Sequence, residues 1–130
     1  MIYVDTSALL SIIDTRDINH ETAVKYWKEQ VESASFIINS YSMLETIALV
    51  QNRLGLNAVR TLVKEILPVI EVDWLGPDEH ETAINNVLTA NRRNLSLVDC
   101  ASFETMRRLR IEPIFTFDDH FKEQGFTVIP

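Results

Sequence analysis

Five short apolar runs, separated by segments of helical spacing, constrain this 130-residue chain more than any other feature. They are Met1–Val4, the run beginning at Ser35 (Phe36, Ile37, Ile38), Val69–Val72, Pro113–Phe117 and Phe126–Ile129. Strands that are apolar on both faces belong to parallel sheets with helices on either side. The intervening segments carry helical stripes. Ala23, Tyr26 and Trp27 form one. Met43, Val50 and Leu54, offset from Leu44, Ile47 and Ala48, mark a well-buried helix. Val59, Leu62, Val63 and Ile66 follow i, i+3, i+4, i+7, as do His80, Ala83, Ile84 and Val87. Val98, Ala101, Thr105 and Leu109 form the last, and Gly55, Pro68 and Pro113 supply stops. The order of elements predicts one α/β domain over residues 1–130, a three-layer α/β/α sandwich around a mainly parallel five-stranded sheet.

Composition narrows the setting. One cysteine, Cys100, excludes an internal disulfide and fits a reducing, cytoplasmic compartment. Cys100 has no activating neighbour in sequence and reads as core. The N-terminus lacks a basic region and Asp5 interrupts its apolar run, so it reads as strand and helix rather than as a signal. No apolar stretch approaches the length of a bilayer span, and no membrane association is expected. The net charge of −7 weighs against a polyanionic substrate. Its distribution softens the objection. Residues 91–110 hold five arginines (92, 93, 107, 108, 110) against Asp99 and Glu104, a local balance of +3 that leaves −10 elsewhere.

Ligands of open α/β sheets bind beyond the carboxyl ends of the strands. Asp5 directly follows the first strand, and Asp118 follows the fourth with Asp119 beside it. Glu45 lies just past the second, one helical turn into the next helix. Asp99 falls in the first turn of a helix starting near Ser96, and joins them if that helix begins at the same sheet edge. Each acid also has a plain structural reading. Ser42–Glu45 and Ser96–Asp99 both fit a capping box, and Asp118 fits an N-cap. Asp5 is hardest to explain that way, because a carboxylate closing a buried strand is costly unless a cation or donors compensate.

The segments YVDTSALLSII, S-x-x-E at Ser42–Glu45, SLVDCAS at 96–102 and FTFDDHFKEQGF at 115–126 together resemble PIN domains. The likeness runs from the first strand to the last and is nearest to the VapC-type toxins of toxin–antitoxin pairs. It implies an acidic quartet of Asp5, Glu45, Asp99 and Asp118 that binds Mg²⁺ or Mn²⁺ and hydrolyses RNA. It also implies a small antitoxin partner and a homodimer. Within the motif T-x-D-x-x-F, completed by Thr116 and Phe121, the working acid is Asp118, and Asp119 occupies a variable position. The low pI of 4.9 departs from what an RNA binder would lead one to expect.

Hard oxygen ligands suit Mg²⁺ or Mn²⁺. Asp5 and Asp99 are expected as direct ligands, Asp118 as a direct or water-mediated one, and Glu45 as a further ligand or as base for the attacking water. Thr6, Ser7 and Thr116 are placed to hold the carboxylates or simply to start helices. Arg92 and Arg93, in the turn before Asp99, are the expected RNA contacts, while Arg107, Arg108 and Arg110 read chiefly as a solvated face. His20, His80 and His120 are scattered and form no zinc motif, and His120 reads as an exposed helix-start residue. Gly-rich phosphate loops and G-x-S-x-G are absent. A stand-alone RNA-processing nuclease and a non-catalytic PIN-like binding module remain the alternatives. A dehalogenase-type domain is disfavoured because Ser7 stands where its second aspartate would fall.

Overall fold

Each of the five apolar runs forms a strand in the computed structural model, which describes all 130 residues. The strands are β1 (Ile2–Val4), β2 (Phe36–Asn39), β3 (Ile70–Asp73), β4 (Pro113–Phe115) and β5 (Thr127–Ile129). All four pairings are parallel and the order is β3-β2-β1-β4-β5. The helices are α1 (Thr6–Ile13), α2 (His20–Gln30), α3 (Ser40–Leu54), α4 (Leu56–Thr61), α5 (Pro77–Ala90), α6 (Leu97–Leu109) and α7 (His120–Glu123). No helix is long and apolar enough to cross a membrane.

Pleating sorts the strand residues between two cores, as a sheet covered on both faces requires. Val4, Phe36, Ile38, Ile70 and Phe115 join Ala8, Leu9, Ala23 and Val50 on one side. Tyr3, Ile37 and Ile114 join Cys100, Phe103, Met106 and Phe121 on the other. The expected three-layer sandwich is therefore present, and Cys100 lies in its second core.

Local signals hold in part. Gly55 ends α3 at φ +90°, a conformation that favours glycine. Pro68 does not stop a helix. It sits within a 3-10 turn (Leu67–Val69) that follows a π turn (Leu62–Ile66) extending α4. Asn91 and Arg110, not glycines, take the left-handed C-cap positions of α5 and α6.

The stripe expected on α3 is present in part, with Val50 buried and Met43, Ile47 and Leu54 packed against the first core. Leu44 is 68% exposed and Ala48 is also exposed, whereas Ser42 and Thr46 are fully buried beside Val50. Hydroxyls occupy the inner face because partners await them there. Ser42 Oγ lies 3.1 Å from the Tyr3 hydroxyl and 3.0 Å from Ser102 Oγ, and Thr46 Oγ1 donates to Ser42 O at 2.7 Å. A satisfied polar group is tolerated in a core, and hydropathy spacing cannot register the satisfaction.

Candidate metal centre at the carboxyl edge of the sheet

The strand order reverses between β1 and β4, the switch point at which open α/β sheets form crevices. Val4 pairs with Phe115, and Asp5 N–H donates to Phe115 O at 3.0 Å, so the two strands end level. Asp5 and Thr116 therefore leave the sheet side by side. Asp5 is 6% exposed. Its Oδ2 accepts from Ser7 Oγ at 2.7 Å and from Thr116 Oγ1 at 2.8 Å, with Ser7 N–H at 3.4 Å. All of these bonds go to one oxygen, and Oδ1 faces no protein donor. Burial raises the Asp5 carboxyl from 3.8 to about 6 despite the two hydroxyl donors, and the charges of Asp99 and Asp118 push the same way.

Helix α6 brings Asp99 to this edge by crossing the sheet obliquely. Ser102 Oγ meets the Tyr3 hydroxyl over β1 at 2.9 Å, Thr105 Oγ1 accepts from Asn39 Nδ2 at the end of β2, and Arg108 pairs with Asp73 at the end of β3. Asp99, nearly one turn before Ser102, then projects beside β1 and β4. The capping-box reading of Ser96 and Asp99 is correct. Ser96 Oγ accepts from Asp99 N–H at 3.0 Å, and Asp99 Oδ2 accepts from Ser96 N–H at 3.1 Å. Capping does not remove Asp99 from the cluster, since burial and the charge of Asp118 both raise its carboxyl.

Glu45 is different. Asn39, not Ser42, caps α3, its Oδ1 accepting from Ser42 N–H at 2.8 Å. The capping-box reading of Ser42–Glu45 fails because Ser42 is already the third residue of the helix and its hydroxyl bonds Tyr3 and Ser102 in the core. Glu45 is free of that duty, and burial together with the charge of Asp99 raises its carboxyl. An apolar cleft of about 320 Å³, lined by residues including Tyr41, Leu44, His80 and Val98, adjoins it.

Asp118 lies three residues past the end of β4. Its N–H donates to Thr116 Oγ1 at 3.0 Å, and its Oδ1 accepts from His120 N–H at 2.9 Å, so it braces the start of α7. The largest surprise is His120. Its side chain is only 18% exposed, and Nδ1 lies 3.3 Å from Asp118 Oδ1 and 3.6 Å from Asp99 Oδ2. Asp99, Asp118 and His120 each offer a ligand atom within 4.8 Å of the others. The exposed helix-start reading of His120 is corrected here. The ring turns inward because Phe121, which follows it, is buried against Phe103, with ring centroids 5.1 Å apart. Asp119 is exposed and caps α7 with its backbone alone.

The hydroxyl residues divide between two acids. Ser7 and Thr116 hold Asp5, whereas Thr6 Oγ1, which donates to Ser42 O at 3.2 Å and accepts from Thr46 Oγ1 at 3.1 Å, is the hydroxyl beside Glu45 and partly offsets the effect of burial on that carboxyl. Arg92 is paired with Glu123 of α7 at 3.2 Å, and Arg93 is exposed. Arg107 and Arg108 are exposed, as expected of a solvated face, but both are engaged. Arg107 bonds Gln124 and lies over the Phe103 and Phe126 rings, and Arg108 bridges Glu104 and Asp73. The Tyr3–Ser42–Ser102 hydroxyl cluster behind the site had no sequence signal, because its members lie 39 and 99 residues apart.

A divalent cation fits this donor set. Asp99 and Asp118 both act on Asp5, Asp99 also acts on Glu45, and a buried nitrogen of His120 beside Asp99 and Asp118 has no hydrogen-bond partner. The PIN domain family profile matches residues 2–126. A curated relative, the 23S rRNA-specific endonuclease VapC20 of Mycobacterium tuberculosis, is 28% identical over 130 residues, 99% of this chain and 98% of the relative. The crystal structure of that Mycobacterium tuberculosis VapC20, described as a Sarcin-Ricin loop cleaving toxin, superposes with a TM-score of 0.87 at 27% identity, covering 98% of this chain and 97% of that one. FitAcB from Neisseria gonorrhoeae shares the fold, with a TM-score of 0.72 at 15% identity over 100% and 97% of the two chains.

Proposed function

The chain belongs to the PIN-domain family, and from that premise we propose that it is a divalent-metal-dependent endoribonuclease acting as the toxin of a toxin–antitoxin pair. What supports the reading is the charge coupling beyond β1 and β4, where Asp99 and Asp118 both act on Asp5, Asp118 on Asp99, and Asp99 on Glu45. Their mutual repulsion and burial are costly in a metal-free protein, and a cation offsets that cost. A non-catalytic binding module would gain nothing from such a cluster.

Asp99 and Asp118 would hold Mg²⁺ or Mn²⁺, with Asp5 contributing Oδ1. An ion there supplies Lewis-acid polarisation of a phosphoryl oxygen and lowers the pKa of water. Ser7 and Thr116 hold Asp5 in one rotamer, so that its free oxygen is aimed before any ligand arrives. Glu45 approaches from α3 on a separate element and with a raised carboxyl, which suits it to take the proton of the attacking water. Arg92 and Arg93 lie in the turn before α6 and would neutralise flanking phosphates. Tyr41 and His80 in the neighbouring cleft offer ring faces for a base.

An antitoxin would have to silence a carboxylate-rich site, and an acidic segment could not enter it. The partner therefore brings Arg or Lys against Asp5 and Asp118, in competition with metal. A homodimer is part of the same reading, and exposed apolar side chains such as Leu44 (68%) and Leu88 (71%) are available to be covered.

The test is cleavage of total RNA and of intact ribosomes by purified protein, with Mn²⁺, with Mg²⁺ and with chelator. Wild type should cut only with metal, and Asp5→Asn and Asp99→Asn should lose at least about a hundredfold in rate. Metal-independent cleavage, or full activity in both variants, overturns the assignment. Expression alone should arrest growth, and co-expression with a partner from the adjacent reading frame should restore it. A harmless protein that still cleaves RNA would favour the stand-alone processing enzyme.

A further inference from the structure

His120 carries the one buried side-chain polar atom in the chain that lacks a hydrogen-bond partner. That atom, Nδ1, faces Asp118 Oδ1 at 3.3 Å and Asp99 Oδ2 at 3.6 Å, and neither approach has hydrogen-bond geometry. A buried nitrogen left without a partner is destabilising, because it has given up hydration for no bond in return. Two carboxylates facing its lone pair would add repulsion. The ring is nonetheless held inward. The His120 backbone N–H is bonded to Asp118 Oδ1, and the adjoining Phe121 is locked among Phe103 and Phe126.

The three facing atoms have the spacing of ligands around one ion. Neighbouring ligands in an octahedron with bonds of about 2.1 Å lie about 3 Å apart. The separations of 3.3 and 3.6 Å approach that value, and all three residues offer atoms within 4.8 Å of one another. Neither Asp5 nor Glu45 belongs to this tightest group.

We propose that His120 ligates the site's divalent cation directly through Nδ1, and that this nitrogen tilts the site towards Mn²⁺ over Mg²⁺. The inference rests on the reading that the acidic cluster binds such a cation. Ligation through Nδ1 puts the ring proton on Nε2. Mg²⁺ keeps to oxygen ligands and water, whereas imidazole nitrogen suits transition metals, so replacing one oxygen by nitrogen costs Mg²⁺ more than Mn²⁺.

The experiment loads RNA-free protein with Mn²⁺ and records pulsed EPR for coupling of the electron spin to a directly bound ¹⁴N nucleus. Mn²⁺ and Mg²⁺ affinities are taken in parallel from the metal-induced rise in melting temperature. Wild type should show the nitrogen coupling. His120→Ala should lose it and bind Mn²⁺ at least about tenfold more weakly, the lower range for losing even an indirect partner of a metal. Its Mg²⁺ affinity should fall less. His120→Asp should keep binding, lack the coupling and shift preference towards Mg²⁺, so the test survives if the alanine variant folds poorly. Mn²⁺ bound to wild type without nitrogen coupling, or coupling that persists in the variants, overturns the ligand assignment and leaves the nuclease reading standing. Wild type that binds neither ion overturns both.

Discussion

Thr116 Oγ1 donates a 2.8 Å hydrogen bond to Asp5 Oδ2, tying the end of β4 to the end of β1 across 111 residues of sequence. The same hydroxyl accepts from Asp118 N–H at 3.0 Å, so one side chain sets the position of two acids. Thr116→Val keeps the shape and removes both bonds. It should destabilise the metal-free protein by about 1–3 kcal/mol and weaken metal binding about 10–100-fold. Thr116→Ser should restore both. Thermal unfolding with and without Mn²⁺ decides the matter, and an undiminished metal response in the valine variant would refute the positioning role.

Asp5 makes metal-free stability depend on pH in an unusual direction. Its folded value of about 6 lies above the ordinary 3.8, so between these values the folded state holds a proton that the unfolded state has released. Stability is therefore greatest below about pH 4 as far as this group is concerned, and falls as pH rises towards and past 6. The loss is on the order of 3 kcal/mol when ionisation is complete. Urea unfolding in chelator at pH 4.5 and 7.5 should show a smaller difference for Asp5→Asn than for wild type. Metal affinity should rise with pH through the same window, because the ligand must ionise to bind.

Asp99 both caps α6 and faces the other acids. Asp99→Asn retains an oxygen for the Ser96 N–H and removes the charge. It should fold, gain slightly in metal-free melting temperature, and lose most of the metal-induced rise. Asp99→Ala should lose that rise and also about 1 kcal/mol of stability with the cap. Equal metal-free melting temperatures for the two variants would show that the cap contributes little.

The arginines separate by what already holds them. Arg92 has one exposed partner, Glu123, and Arg93 has none, whereas Arg107 and Arg108 are engaged by several groups each. Arg92→Ala with Arg93→Ala should weaken RNA binding and lower the salt slope by about 1.4, at roughly 0.7 per phosphate contact on single strands. Metal binding should not change. Arg108→Ala should instead cost about 1 kcal/mol of stability. RNA affinity that falls more with Arg108→Ala than with the double variant would move the RNA path to the far end of α6.

Tyr3 supports the site from behind. Its buried hydroxyl bonds Ser42 of α3 and Ser102 of α6, and burial pushes that hydroxyl well above the usual tyrosine range. Tyr3→Phe removes one hydrogen-bond partner from each serine, leaving them only each other at 3.0 Å, and should cost about 1 kcal/mol. It should leave the order of metal preference intact. A neutral effect, measured by urea unfolding, would show that Ser42 and Ser102 satisfy each other.

The layout of this protein was legible in its sequence because burial on both faces of a strand leaves a continuous apolar run, and a helix between such runs forces parallel pairing. The runs at Ile2–Val4, Phe36–Ile38, Ile70–Val72, Ile114–Phe115 and Val128–Ile129 are local facts, and so is the placement of Asp5 and Asp118 just beyond two of them. The inward turn of His120, the burial of Ser42 and Thr46 in place of Leu44, and the capture of Arg107 and Arg108 are not local. Each depends on a partner 17 to 60 residues away: Gln124 for Arg107, Asp73 for Arg108, Ser102 for Ser42, and Phe103 for the phenylalanine that anchors His120. A polar group's place is decided by whether a partner satisfies it, and only the packed chain brings that partner within 3 Å.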